Sequence, residues 1–300
     1  MSSIVKGVRS RSNASSQWTG AGVKKKVFTL MYHLLVILFG LAMLYPLMWM
    51  VSASFKTEAE IFTGVNFWPD NPTLHNYING LRGISGYSFL RFFGNSFLIT
   101  SLNIIGNVIT CSLAAFAFAK LKFKFSGIMF SIMMVTMMLP MHVRFIPQFI
   151  VFVRLGWVDT ILPLTVPGFF ATNGFFIFLL VQFMRGISNE MLEAPRIDGC
   201  NTFQIYLYFM LPLSIPGLIT VAIFTFIGSW NDFFGPLIYL VNPARFTVAL
   251  ALRMFVDATG QSAWGSLFAM SVLSLIPLFI MFIAFQKYLI EGIQSGSLKG

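Results

Sequence analysis

From Val27 to Val51 the chain runs without a single Lys, Arg, Asp or Glu. A helix rises about 1.5 Å per residue, so about 20 apolar residues cross the roughly 30 Å of hydrocarbon in a bilayer. Five further runs of that kind follow, at about 92–119, 126–151, 160–184, 213–238 and 265–289. Water is a poor solvent for such a chain. Charged residues make up 10% and hydrophobic residues 57%, whereas an ordinary soluble protein carries about 25% charge to cover its core. In hydrocarbon every backbone polar group must be satisfied within the segment, which selects helices, and no run shows the alternation of a membrane barrel strand. The expected fold class is an all-α polytopic membrane protein with six transmembrane helices.

The net charge of +10 does not imply nucleic acid, because the bases lie in short clusters between apolar runs and not along one soluble face. They report orientation instead. With the N-terminus inside, thirteen Lys and Arg fall on inner segments and six on outer ones, with Arg144 inside a run. Both termini are therefore expected in the cytoplasm. Residues 1–26 hold Lys6, Arg9, Arg11, Lys24, Lys25 and Lys26 and no acid, and read as a disordered cytoplasmic tail. The run after them exceeds the about 7–15 residues of a signal-peptide core, so it reads as an uncleaved span. The outer segments 52–91 and 239–264 are long enough either to meet an external partner or merely to connect.

Catalytic and cofactor signatures are missing. There is no G-x-x-x-x-G-K-S/T loop and no H-E-x-x-H, and His33, His75 and His142 are scattered. Cys111 and Cys200, with no histidine near them, suggest neither a disulfide nor a metal site. An enzyme is not expected, and no cofactor or metal is expected in the chain. Ion coupling needs ionisable groups within the spans, and only Arg144 and Asp232 qualify. The two could pair, or Asp232 could cap a bend before Pro236; a structural role is the preferred reading for both. In the second run Ser96, Thr100, Asn103, Asn107 and Thr110 recur at spacings that share one helix face. Such a face either lines a pathway for a polar solute or joins helices. Asn231 and Asp232 are further pathway candidates. Pro46, Pro140, Pro147, Pro163, Pro167, Pro216, Pro236 and Pro277 punctuate the runs, each removing a backbone donor.

One stretch departs from the apolar background: "NEMLEAPRIDGCNTFQIYLYFMLPL", Asn189 to Leu213. Ser188 or Asn189 can cap a helix and Glu190 suits its positive end. "EMLEA" gives one to two turns, Gly199 can stop them in the left-handed conformation, and "FQIYLYFML" resumes helix toward Pro212. The expectation is a short helix, a sharp turn and a second helix, a charged knob on the cytoplasmic side.

These residues resemble the permease subunits of binding-protein-dependent ABC importers. The family motif reads E-A-A, three residues, G, nine residues, I, one residue, L-P. Glu193, Ala194, Gly199, Leu211 and Pro212 match, Phe209 replaces the Ile, and Asp198 before the glycine is the form of carbohydrate-type permeases. "FFGNSFLIT", "AAFAFAKLKFK", "IPQFIVFVRLGWVDTILPLTVP", "GSWNDFFGPL" and "QKYLIEGIQSGSLKG" are similar to the maltose G-type family over nearly the whole chain after the tail. The resemblance implies the type I permease fold in the bacterial cytoplasmic (inner) membrane. It implies a heterodimer with a sister permease, two cytoplasmic ATPase subunits that carry the ATP and Mg, an extracellular solute-binding protein and a sugar substrate. The loop at about 185–212 would then be the coupling element, with Glu190, Glu193, Ala194, Asp198, Gly199, Leu211 and Pro212 as its ATPase-coupling residues. The same machinery with a non-sugar solute is the alternative, and an ion-coupled carrier a third. Pro195 stands where the family has its second Ala; inside a helix it would kink or shorten the turn.

Overall fold

A computed structural model describes residues 14–64, 66–256 and 263–297. Helix α1 (Ala14–Ala53) is continuous, with Pro46 inside it. It begins within the segment 1–26 expected to be a disordered tail, and residues 1–13 lie outside the described ones. The correction has a simple cause: once a helix is nucleated, each added residue gains a hydrogen bond at little further cost, so the apolar boundary at Val27 is not a helix boundary.

Two short helices follow on the outer segment, α2 (Glu58–Thr63) and α3 (His75–Arg82). Next is α4 (Phe89–Lys120), capped by the Ser88 hydroxyl, which accepts from Leu90 N. The run at 126–151, expected as one helix, is two: α5 (Ser126–Met137) and α6 (Met141–Arg154). Pro140 explains the break, because the residue before a proline is driven out of helical geometry. The run at 160–184 holds α7 (Leu162–Thr165), a 3-10 turn at Val166–Phe170 and α8 (Gly174–Gly186). Ala171, at φ 52°, marks the change of path.

The polar stretch forms α9 (Glu190–Ile197) and α10 (Thr202–Ile205). A wider π turn at Tyr206–Met210 leads to α11 (Leu211–Leu213). Pro212 lacks the N–H that would bond one turn back and its ring crowds the carbonyl there; the widened turn removes that conflict. This stretch meets α12 (Ile215–Trp230) at 76°. Then come α13 (Phe234–Tyr239), a 3-10 turn at Pro243–Arg245, α14 (Val248–Arg253) and α15 (Trp264–Ser297). Among the described residues, Lys25–Ala53, Phe89–Lys120, Leu162–Gly186 and Trp264–Tyr288 are each long and apolar enough to cross a membrane, and the bent pair ending at Trp230 adds a broken fifth.

Helix α4 lies at the centre. Its C-terminal half packs Cys111, Ala115 and Phe116 against Leu180 and Met184 of α8, Tyr206 and Met210 of the π turn, and Val221 of α12. Its N-terminal end packs Phe89 and Phe92 against Trp230, Val248, Phe255 and Met270. Midway, Gly106 lets the backbone of Gly168 approach: a Cβ there would stand 3.0 Å from the Gly168 carbonyl carbon. By contrast α1 meets the bundle near its outer end, where Trp49 lies edge-on to Phe268 with ring centroids 5.3 Å apart.

Candidate functional site: a charged knob and a polar cavity

Helix α9 folds as its sequence dictates. Ser188 Oγ accepts from Glu190 N at 3.3 Å. Asn189 makes no side-chain cap and instead accepts from Lys120 Nζ at 2.8 Å. The helix continues through Pro195 to Ile197, so the proline neither ends it early nor destroys it. Leu192 and Pro195 are the buried positions of α9, and Leu192 joins the cluster around α4 and α8. A buried proline ring packs like any small apolar group, and only one backbone bond is forgone. Gly199 takes φ 87°, the left-handed turn that glycine adopts without a steric penalty. Cys200 N closes the turn on the Pro195 carbonyl at 2.9 Å. Helix α10 then starts on a reciprocal capping box, Asn201 with Gln204.

The outward face of α9 carries Glu190, Glu193 and Ala194, and the turn after it Asp198 and Gly199, all exposed. Met191, Ala194 and Ile197 recur every third residue on it, with Met191 52% and Ile197 85% exposed. Sequence reasoning stressed the acids and missed this apolar stripe, although its spacing was readable. Leu211 is partly buried and Pro212 exposed at the far end of the loop. Beside the knob lies a groove of about 850 Å³, lined by Leu121, Lys122 and Phe123 on one wall and Leu192, Glu193 and Arg196 on the other.

The polar face of α4 divides in two. Ser96 and Thr100 are buried and tied to neighbours: Ser96 Oγ accepts from Val248 N at 2.8 Å, and Thr100 Oγ1 reaches Ser229 Oγ at 3.4 Å. Thr110 Oγ1 donates to the Gly168 carbonyl at 3.0 Å. Asn103 Nδ2 donates to Leu164 O at 3.0 Å and to Ser229 Oγ at 3.1 Å, and Asn107 Nδ2 to Asn103 O at 3.0 Å. Asn103, Asn107 and Asp232 also line a cavity of about 420 Å³ with Asn173, Ser229, Phe145, Phe176 and Phe224. Asn231 is exposed and bonds back to Ile227 O, outside that lining. The face thus joins helices toward α7, α12 and α14 and, at mid-helix, lines a cavity. Asn173 and Ser229 were missed, since neither belongs to a helical repeat of polar residues that would flag it. Asp232 Oδ1 accepts from Gly235 N at 3.0 Å and so caps α13 before Pro236. Arg144 stands exposed in the first turn of α6.

Asp159 sits at φ 60° between α6 and α7. Its carboxylate accepts from Val241 N at 3.0 Å and Asn242 N at 2.9 Å and pairs with Arg245 at 2.8 Å. The Asn242 amide foremost, with Val241 and the Arg245 charge, holds its carboxyl below the usual aspartate range and outweighs the opposing effect of burial.

The chain is a bundle of apolar helices long enough to cross a membrane, with a capped, glycine-turned polar knob and a polar cavity within it. The chain belongs to the family of binding-protein-dependent transport system inner membrane components, whose model matches residues 81–295. It is 35% identical to a putative ABC transporter permease protein of Caldicellulosiruptor sp. strain Rt8B.4, covering 85% of this chain and 91% of that one. It is 31% identical to an arabinooligosaccharides transport system permease of Halalkalibacterium halodurans, covering 93% and 100%. Among solved structures, a bacterial ABC transporter involved in the import of the acidic polysaccharide alginate has a chain that superposes with TM-score 0.78 at 25% identity, over 88% of this chain and 97% of that chain. The chain is therefore an ABC importer permease subunit, a non-catalytic, multi-pass protein of the inner membrane. Membership implies an ATPase and a solute-binding protein as partners, and it displaces the ion-coupled carrier reading.

Proposed function

We propose that this chain is one of two permease subunits, paired with a sister permease in a heterodimer, that import a sugar or oligosaccharide. Two cytoplasmic ATPase subunits supply the ATP and Mg, and an extracellular binding protein supplies the solute. The single observation that carries the coupling role is the two-faced α9: Leu192 and Pro195 are buried in the bundle while Met191, Ala194 and Ile197 stay exposed beside Glu190 and Glu193. An eight-residue helix with a buried inner face moves with the bundle and not as a free loop. ATP-driven closure of the ATPase pair would displace α9 as a rigid body and shift the permease between two discrete arrangements. In this scheme Ala194 and the apolar stripe fill a groove on the ATPase, Glu190, Glu193 and Asp198 meet its cationic rim, Gly199 sets the turn, and Leu211 and Pro212 deliver the movement to α12.

The sugar assignment rests on the relatives' named substrates and on the cavity's chemistry. Amide and hydroxyl groups of Asn103, Asn107 and Ser229 beside the rings of Phe145 and Phe224 suit a hydroxyl-rich solute, the rings facing its apolar ring faces and the amides its hydroxyls. Ser96 and Thr100 keep the helices of that pathway together, and Asn231 stands exposed at its edge. The test is uptake into vesicles holding the assembled complex, with radiolabelled oligosaccharide, glycerol phosphate or peptide and the cognate binding protein. ATP-dependent uptake of the oligosaccharide alone is expected; uptake of another class in its place overturns the sugar reading. A Glu193→Ala, Gly199→Val double variant should assemble yet lose solute-stimulated ATP hydrolysis, and full stimulation in it would sink the coupling role of the loop.

A further inference from the structure

Side chains near the two ends of α4 grip segments that lie on opposite sides of the bundle. At the outer end Arg91 Nε donates to Ala244 O at 2.9 Å, and Asn95 Nδ2 donates to Ala244 O and Phe246 O, both at 3.0 Å. Ser96 Oγ accepts from Val248 N at 2.8 Å. These bonds hold the approach to α14 in the long outer segment, and Asp159 holds its other side through Val241 and Asn242. At the inner end Lys120, the last residue of α4, donates from Nζ to Ile187 O at 2.6 Å and to Asn189 Oδ1 at 2.8 Å. Ile187 closes α8 and Asn189 precedes α9. The knob is thus tied to α4 immediately before its first turn.

The helix between these grips is unbroken. Three described helices exceed thirty residues: α1 and α15 contain Pro46 and Pro277, while α4 contains no proline. From Asn95 to Lys120 it spans about 37 Å at about 1.5 Å per residue, more than the roughly 30 Å hydrocarbon thickness. Backbone carbonyls accept most of these bonds, so the grips fix the path of the gripped segments regardless of which side chains those segments carry.

We propose that α4 is a rigid strut joining the outer segment at 244–248 to α9, and that Asn95 and Lys120 are the positioning residues that fasten its two ends. This rests on the importer reading above. Movement of α9 is passed to α4 through Lys120, and Asn95 passes it to the segment leading into α14. In the reverse direction, an external partner pressing on that outer segment biases α9 and hence the motor. The two grips act in series, so loosening either one weakens the link between the two sides, although Arg91 and Ser96 still hold the segment at 244–248 and Leu192 still packs α9 against the bundle.

The experiment uses the complete complex (both permeases and the ATPases) in lipid vesicles, with the external binding protein and its solute. ATP hydrolysis is measured with and without binding protein, alongside uptake. Asn95→Leu and Lys120→Met should co-purify with the ATPase and keep basal hydrolysis, but lose about tenfold of the stimulation, within the range of ordinary intersite coupling. The double variant should be no worse than the poorer single variant, the non-additivity of one shared path. Lys120→Arg should restore most of the stimulation, since its guanidinium reaches the same oxygens. Near-wild-type stimulation in both single variants, or additive losses in the double, overturns the strut. A variant that does not assemble is replaced by Lys120→Gln or Asn95→Ser under the same criterion. Absence of stimulation in the unmodified complex would instead overturn the importer reading.

Discussion

Helices α1 and α4 are both long and apolar, yet they occupy opposite places in the molecule. The most apolar window of α1 has mean hydropathy 2.3 and is 0% buried, whereas that of α4 has 1.8 and is 33% buried. In a soluble protein the order would be reversed. In a bilayer the lipid tails are as apolar as leucine, so nothing drives the more hydrophobic of the two inward. Polar side chains do seek the interior, because Asn103, Asn107 and Thr110 find partners only on other helices or one turn back. The helix with the asparagines is therefore the centre, and the helix without them stands at the edge.

Paired substitutions test this contrast. Gly106→Leu in α4 is expected to do the most damage, because its Cβ would meet the Gly168 backbone and Phe169 Cδ2 at 3.0 Å. Overpacking of that kind costs about 3 kcal/mol; the purified complex should lose its thermal transition or unfold well below wild type. The matching Gly40→Leu in α1, with nothing within 4 Å of the new Cβ, should unfold with wild type. Equal loss from both would break the comparison.

Next in size is Asn103→Leu. It strips Leu164 O and Ser229 Oγ of a donor, a loss of about 1–3 kcal/mol where the groups stay unpaired. Thermal unfolding should register it, and a second change, Ser229→Ala, should add less than its own separate effect.

A smaller effect belongs to Asp159→Asn, which weakens the clasp on the outer segment beside α4. Asp159 and Arg245 keep 33% and 45% of their side-chain surface exposed, so the ion pair itself contributes at most about 1 kcal/mol. The folded carboxyl titrates below its unfolded value. Its contribution is therefore complete above the unfolded value of about 3.9 and is lost as the pH falls through the depressed folded value. Unfolding of wild type and variant should differ near neutral pH and converge in strong acid; a gap that widens on acidification would contradict the sign. The smallest change is expected for Leu35→Ala on the exposed flank of α1, within about 0.5 kcal/mol. A larger loss in the full complex would show that another chain covers α1.

Much of the knob was readable. Gly199 turns left-handed, Ser188 accepts at the start of α9, and Asp232 caps the bend before Pro236, each a local consequence of residue type. The repeat from Ser96 to Thr110 correctly placed five polar groups on one face. Local rules misjudged the break at Pro140, the π turn ahead of Pro212 and the start of α1, where a whole segment's path outweighs one residue's preference. They were silent on the grip of Lys120 on Ile187 and Asn189, because those partners lie far along the chain and nothing periodic connects them.

The amino-acid order by itself determined the solvent, the helical class and the chemistry of the knob. Hydrocarbon admits no unsatisfied backbone, and glycine, proline and capping residues act over a few neighbours. Only the tertiary structure decided which helix is central, which half of its polar face is sealed and which half lines a cavity, and what Asn95 and Lys120 hold. Those outcomes depend on hydrogen bonds closed between segments up to about 150 residues apart, Ser96 with Val248 among them, and no local pattern encodes which distant partner will be there.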